Sequence, residues 1–364
     1  MGGLPNPSEI EHTVAEQIMN LKEPAPIRLL TGALCLLLSG LLFTGCGGQQ
    51  DDPANDALRI AVIPKGTTHE FWKMVHAGAI KAEREINSGS AQKVEIIWKG
   101  PLKEDNTEEQ INLVRTFISS RVDGIVLAPL DKTALVRPVR EAASRGVPVV
   151  IFDSGLDAEV GKDFATYVAT DNYQGGVLGA KRLGEVLGGK GKAILLRYQV
   201  GSESTMQREN GFLDTMKKEF PDIELISTDQ RAGATEEQAY QKSQNLLTRF
   251  KDEVNGIFCP NESSAAGMLG ALRQAGLNGK IKFVGFDASE KLVQALSKGD
   301  IDGLVLQNPI NMAYLGVMSV VDSIKGGKLE SYVDTGVQVA TPENMNTPQM
   351  KELHSPDLSK WLKN

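Results

Sequence analysis

The residues with the most chemistry to offer stand immediately after short apolar runs. Lys65-Gly66-Thr67-Thr68-His69-Glu70-Phe71-Trp72 follows the run 58–63, Asp153-Ser154 follows 149–152, and Asp171-Asn172 follows 167–169. Asn261-Glu262 comes after Cys259, Asp287 after Phe286, and Gln307-Asn308 after Leu306. If the runs are parallel strands, these residues share the carboxyl edge, where open α/β sheets bind ligands. One polar crevice is expected, lined by groups that donate and accept hydrogen bonds. Its chemistry is recognition, not catalysis: no GxSxG nucleophile elbow is present, and no cysteine stands with a histidine in an activating setting. Four scattered histidines (His12, His69, His76, His354) have no metal-ligand spacing, so neither a metal nor a cofactor is expected. Gly184-Glu185-Val186-Leu187-Gly188-Gly189-Lys190-Gly191 nearly spells a phosphate-binding loop, but it lacks the final Ser or Thr. It also falls between a helix and a strand, the reverse of the order such a loop needs, and is read as a glycine-rich helix exit.

Hydrophobic periodicity supplies the elements that position these residues. Strands are expected at 58–63, 94–98, 124–128, 149–152 and 167–169, then at 193–196, 224–227, 256–259, 282–286 and 303–306, with short extended pieces near Glu330 and Val337. Helices are expected near 70–87, 108–121, 134–144, 173–187, 206–218, 236–249, 264–274, 290–297 and 312–324. Apolar strands alternating with amphipathic helices predict parallel βαβ units covered on both faces, and the restart after the fifth strand predicts two similar lobes. The chain has 364 residues, enough for two such cores. With 39 Lys+Arg against 46 Asp+Glu, a net charge of −7 and no basic block, it lacks the clustered positive surface that nucleic acid requires.

The N-terminus gives an address. Leu29 to Phe43 (LLTGALCLLLSGLLF) carries no charge, follows Lys22 and Arg28, and runs into Thr44-Gly45-Cys46. That order of basic start, short apolar run and small residues predicts a secretion signal over 1–45. As a helix the run rises only about 22 Å, short of a hydrocarbon core of roughly 30 Å, so a permanent membrane span is not expected. Glu9, Glu11 and Glu16 are out of place in a signal start, and translation is expected to begin at Met19. Phe43-Thr44-Gly45-Cys46 resembles the lipobox of bacterial lipoproteins, with Phe43 where Leu is usual; the resemblance implies lipidation of Cys46. Residues 46–57 would be a polar tether. After cleavage Cys259 is the only internal cysteine, which rules out an intramolecular disulfide.

Val168-Ala169-Thr170-Asp171-Asn172 followed by Gly175-Gly176, Arg208-Glu209-Asn210-Gly211-Phe212, Asn245-Leu246-Leu247, Val284-Gly285-Phe286-Asp287 and Gln307 occur in one order and spacing. In these pieces the chain, over roughly 58–339, resembles the periplasmic sugar-binding proteins of ABC transporters of the ribose- and galactose-binding type, related to the lactose-repressor effector domain. The resemblance implies an α/β fold of two Rossmann-like lobes with parallel sheets joined by a three-crossing hinge, the periplasmic binding protein type I arrangement. The first lobe would comprise 58–170 plus 308–334 and the second 171–307 plus 335–364. Phe71 and Trp72 would sandwich a sugar ring. Asp153, Arg208, Asn261, Asp287 and Gln307 would bind its hydroxyls, with His69 beside them, and Asp171, Asn172 and Asn308 would form the hinge. The implied partners are a neutral sugar or polyol, an ABC-transporter permease and, through the lipid, a membrane surface in the periplasm or on the outer face of the cell membrane. A monomer is expected. Where the ribose-binding pattern has an arginine after the matched aspartate this chain has Ser154, and His69 and Glu70 replace an asparagine and a proline, so ribose is not the expected ligand. A missing aromatic near Gly233-Ala234-Thr235 implies a more open pocket.

Several of these residues have plainer readings. Thr67-x-x-Glu70 is a capping box, the preferred reading of Glu70. His69 either hydrogen-bonds the ligand or is a solvated loop residue. Adjacent Phe71 and Trp72 do not share one helix face comfortably, so one is expected to point elsewhere. Arg208 could pair with Glu209 or Glu203 on a helix surface, and Asp287 could cap the helix after it. The expected function is capture of the ligand and its delivery to the permease without catalysis. A lipoprotein that reports ligand to a membrane receptor or kinase shares every feature named so far. An effector-controlled repressor conflicts with the export signal, and a hydrolase would turn its ligand over.

Overall fold

The computed structural model describes residues 57–362. The segment 1–45 expected to be a signal, the expected lipidation site Cys46 and the expected tether up to residue 56 lie outside the described residues.

The apolar run Leu58–Ile63 forms β1, buried from Ile60 onward, as a central parallel strand covered on both faces must be. The alternation then proceeds through α1 (Glu70–Gly89), β2 (Val94–Trp98), α2 (Thr107–Ser119), β3 (Gly124–Leu127), α3 (Val136–Ser144), β4 (Val149–Phe152) and β5 (Thr166–Ala169). It restarts with α4 (Asn172–Val186), β6 (Gly191–Leu195), α5 (Glu203–Glu219), β7 (Ile223–Ser227), α6 (Glu236–Phe250), β8 (Gly256–Phe258), α7 (Glu262–Gln274), β9 (Lys282–Phe286), α8 (Glu290–Lys298) and β10 (Gly303–Leu306). The chain closes with α9 (Pro309–Ile324), β11 (Tyr332–Asp334), β12 (Gln338–Ala340) and α10 (Pro348–His354).

The strands form two sheets, ordered β11-β5-β4-β3-β1-β2 and β12-β10-β9-β8-β6-β7. Every pairing is parallel except that of β10 with β12. This is the α/β two-lobe fold expected from the sequence, each sheet carrying an apolar cluster on either face. Helices α5, α7 and α9 begin earlier than periodicity suggests, at Glu203, Glu262 and Pro309. Asn261 and Asn308 cap the latter two, and Pro309 sits where a missing N–H costs nothing. The Gly184–Gly191 segment is a helix exit, with Gly188 and Gly189 at positive φ after α4.

Two glycines set how closely helices approach within each lobe. A Cβ on Gly78 of α1 would lie 2.1 Å from the Ile310 carbonyl oxygen of α9, and one on Gly176 of α4 would lie 2.0 Å from the Arg208 carbonyl oxygen of α5. Backbone packed against backbone at Gly176 fixes the part of α5 that carries Arg208.

The chain passes between the sheets at three places, β5 to α4, β10 to α9 and β11 to β12. Asp334 Oδ1 accepts hydrogen bonds from the Asp171 and Gly336 amides, at 3.2 and 2.9 Å, and so staples two of the crossings together. The Thr170 hydroxyl reaches the Gly336 carbonyl at 3.3 Å.

Candidate functional site

The carboxyl edges of both sheets face each other, and the loops leaving them build one cavity. Lys65 and His69 follow β1, Phe71 and Trp72 lie in the first turn of α1, Glu104 follows β2 and Asp153 follows β4. From the other lobe come Tyr198 after β6, Ser204, Thr205 and Arg208 on α5, Asn261 and Glu262 after β8, Asp287 after β9 and Gln307 after β10. The cavity measures only about 30 Å³ for water-sized spheres, so the lobes are closed on one another.

Asp153 and Asp287 occupy matching places in the two lobes, each in the left-handed region at φ 62° and 67°. Each amide continues the sheet ladder, Asp153 to the Val168 carbonyl at 3.0 Å and Asp287 to the Val305 carbonyl at 2.7 Å. A non-glycine residue held this way costs about 1–3 kcal/mol, a strain that typically persists where a side chain must be aimed.

Charge is dense and nearly balanced. Lys65 Nζ lies 2.8 Å from Asp153 Oδ2 in an ion pair, and that buried oxygen has no further partner among the described residues. Lys65 also donates to Ser204 Oγ of the opposite lobe at 3.0 Å. Arg208 is fully enclosed: Nε donates to Asn172 Oδ1 at 2.8 Å, an Nη donates to the Pro260 carbonyl at 3.0 Å, Asp287 lies 3.9 Å away, and the guanidinium stands 3.9 Å over the Phe286 ring. Burial pushes the Arg208 guanidinium down and the Asp287 carboxyl up, while each opposes the shift of the other. Asp287 Oδ1 accepts from Gln307 Nε2 at 2.7 Å, which leaves Gln307 Oε1 buried without a partner among the described residues.

Burial pushes His69 down, but contact with Glu104 overrides it and the imidazole rises to about 9. For Glu104, burial acts upward and the charge and hydrogen bond of His69 outweigh it, bringing the carboxyl to about 2. Glu262 goes the other way, pushed up to about 7 by burial against the pull of His69.

Glu262 and Glu70 join the lobes reciprocally. Glu262 accepts from the Glu70 and Phe71 amides at 3.2 and 2.9 Å, at the start of α1, while Glu70 Oε2 accepts from the Glu290 amide at 2.9 Å, at the start of α8. Each carboxylate meets the positive end of the other lobe's helix. This overturns the capping-box reading. His69 is the N-cap of α1 without a side-chain bond, Thr67 Oγ1 instead donates to the Pro101 carbonyl, and Glu70 reaches across because α8 leaves its first amide open.

The structure gathers Phe71, Trp72, Asp153, Arg208, Asn261, Asp287, Gln307 and His69 around one cavity. Other expectations are corrected. Phe71 and Trp72 both belong to the buried cluster under α1, edge to face at 4.9 Å, because the first helical turn overhangs the crevice and both rings reach inward. Arg208 pairs with neither Glu209 nor Glu203; Glu209 belongs to Arg197. Asp287 leaves the cap of α8 to Ser289 and accepts from the Glu262 amide at the start of α7. The open wall expected near Gly233 is filled by Tyr198, fully buried. Asn172 bridges Arg208 to the Asp153 and Thr170 carbonyls, while Asp171 caps α4 and Asn308 caps α9.

Sequence reasoning placed Lys65 and Glu262 on the crevice edge without a ligand role, and it left out Glu104, Tyr198, Ser204 and Thr205. Glu104 and Tyr198 lie in loops that follow β2 and β6, so the rule that found the others could have found them. Among the described residues no group of three His, Cys, Asp or Glu is placed to hold a metal ion.

Two parallel α/β lobes closing on a polar crevice at their carboxyl edges define a two-lobed ligand-binding protein. The chain belongs to the periplasmic binding protein domain family, whose sequence model matches residues 60–328. It is 27% identical over 289 residues to a xylitol-binding protein of Mycolicibacterium smegmatis, covering 79% of this chain and 78% of that one. With the D-allose-binding periplasmic protein of Escherichia coli it shares 28% over 278 residues, covering 75% and 86%. A carbohydrate transporter solute-binding protein of Agrobacterium radiobacter, solved with D-arabinose, superposes with a TM-score of 0.76 at 31% identity, covering 82% of this chain and 98% of that one. A counterpart from Agrobacterium vitis with bound D-fucose gives 0.76 at 32%, covering 81% and 99%. These relatives are substrate-binding proteins, and this chain is a binding protein, not an enzyme.

Proposed function

We propose that the protein is an extracytoplasmic lipoprotein that captures a neutral sugar or polyol between its lobes and delivers it to an ABC-transporter permease. The observation that carries this reading is the pair of buried acceptors, Asp153 Oδ2 and Gln307 Oε1, that reach the crevice from opposite lobes without a hydrogen-bond partner among the described residues. A ligand hydroxyl on each would join the lobes and relieve the cost of burying the acceptor, about 1–3 kcal/mol. Three cations, Lys65, His69 and Arg208, stand against the carboxylates Glu104, Asp153, Asp287 and Glu262. The near balance suits a ligand without charge. Phe71 and Trp72 offer it an apolar wall, Asn261 an amide, and Asp171, Asn172 and Asn308 the crossings about which the lobes part. Ligand favours closure because it touches both lobes, and differential affinity is what shifts such a population. Lipidation of Cys46 would hold the protein at the membrane beside the permease.

Calorimetric titration of the purified protein with xylitol, D-allose, D-arabinose, D-fucose and D-ribose tests the reading. One saturable ligand, lost in Asp287→Ala, is expected. A folded protein that binds none of a wider sugar and polyol panel refutes it.

A further inference from the structure

Glu104 is buried in the loop after β2, where it caps no helix and pairs with no strand. Its Oε1 accepts from His69 Nδ1 and from Trp72 Nε1, both at 2.7 Å, and its Oε2 accepts from the Tyr198 hydroxyl of the other lobe, also at 2.7 Å. The Gln199 side-chain amide donates to the Glu104 carbonyl at 2.8 Å, so the residue is gripped from the second lobe twice. Tyr198 lines both the central cavity and a second cavity of about 510 Å³ beside Arg231, Gly233 and Gln238, and its ring is the partition between them.

We propose that Glu104 is a positioning residue of the binding site, one carboxylate that orients Trp72 and His69 on its own lobe and fixes Tyr198 of the other lobe as the wall that confines the ligand to the central cavity. This rests on the sugar-binding reading for its consequence but not for its geometry. Glu104 holds the indole so that Trp72 presents a fixed edge, keeps His69 as a charged donor, and engages Tyr198 only when the lobes meet. The other charged groups facing this cluster are Lys65 from the end of β1, Glu262 at the start of α7 and Asp287 after β9, with Asp105 and Asp153 facing Tyr198. Glu104→Gln removes the charge beside the imidazole but keeps an oxygen for a donor, and Tyr198→Phe removes only the bond to the other lobe, so the two variants separate the ion pair from the grip on the wall.

The test is NMR of the full chain carrying ¹⁵N-labelled histidine and tryptophan, comparing the wild type with Glu104→Gln and Tyr198→Phe. In the wild type His69 is expected to titrate near 9, held up by its contact with Glu104. In Glu104→Gln its midpoint falls, because burial is then opposed only by the charges of Glu262 and Asp287, and the Trp72 indole N–H resonance moves. In Tyr198→Phe the His69 midpoint stays high, since its pair with Glu104 lies within one lobe, while the ring loses the bond that fixes it and ligand selectivity relaxes toward methyl glycosides of whichever of D-arabinose or D-allose binds. An unchanged His69 midpoint in Glu104→Gln overturns the proposal. Should that variant not fold, a wild-type His69 that titrates below 7 overturns it equally. The NMR arms need no ligand, so their failure is separable from a sugar panel without a binder, which would count against the function alone.

Discussion

Raising the pH from 4.5 to 7 should loosen this protein through one carboxyl, Glu262. Burial carries Glu262 from the ordinary 4.5 to about 7 while it accepts the two amides at the start of α1. Its protonated form is therefore favoured in the closed fold more than in the unfolded chain. Between those two values the folded protein holds the extra proton, so stability is highest below about 4.5 and falls as pH rises through 7. The interval corresponds to about 3 kcal/mol. With an unfolding entropy of about 2 cal/mol/K per residue over roughly 300 residues, that is about 5 °C in Tm. Glu262→Gln keeps an acceptor for one amide and cannot titrate. The assay is thermal unfolding by circular dichroism from pH 4.5 to 9 for both proteins. The wild-type Tm minus the variant Tm should drop by about 5 °C across pH 4.5 to 7 and then level off. Asp287, raised in the same sense by burial and coupled to Glu262, titrates in both proteins, so the difference reports chiefly Glu262. A difference curve that is flat over that window refutes the argument that burial dominates at Glu262.

Four further outcomes are expected. His69, raised from 6.5 to about 9, stabilises the fold fully below 6.5 and loses that contribution as pH rises through 9, so a second decline in Tm should appear there and vanish in His69→Gln. Arg208→Ala strands Asp287 as a buried carboxylate without its cation; a loss of about 3–5 kcal/mol by denaturant titration is expected, together with loss of ligand binding by calorimetry. Gly176→Ala places a methyl 2.0 Å from a carbonyl oxygen that cannot yield without moving α5, and urea unfolding should show a loss of about 3 kcal/mol. Cys46→Ser should move the protein from the membrane to the soluble fraction of cells; an unchanged distribution would count against the lipid anchor.

The sheets were legible because parallel strands buried on both faces are written as unbroken apolar runs. The expected bounds of β1, β2, β4, β9 and β10 coincide with those observed. Helix starts were less legible, because caps such as Asn261 and Asn308 are polar residues that also read as ligand groups. Seven of the eight ligand candidates stand at one cavity because their place after a strand end, a local property, decides it, while Arg208, on α5, was found only through the family resemblance. What escaped is non-local. No spacing in the sequence says that Glu70 caps α8, more than two hundred residues on, or that Tyr198 fills the wall thought missing near Gly233. The Thr67-to-Glu70 motif has the spacing of a capping box, yet an amide donor at the start of α8 in the opposite lobe took the Glu70 carboxylate in place of the local Thr67 amide.

The three crossings also decide the order in which the molecule can be finished. The first lobe, begun at β1, still lacks α9 and β11 when all of α4 through β10 has been made. Its closing contact brings Ile310 back to Gly78, about 230 residues away along the chain, and long closures of this kind are slow. A chain whose first-made half is completed nearly last remains threadable well after synthesis, the state in which a polypeptide must be kept if it is to cross a membrane before it folds.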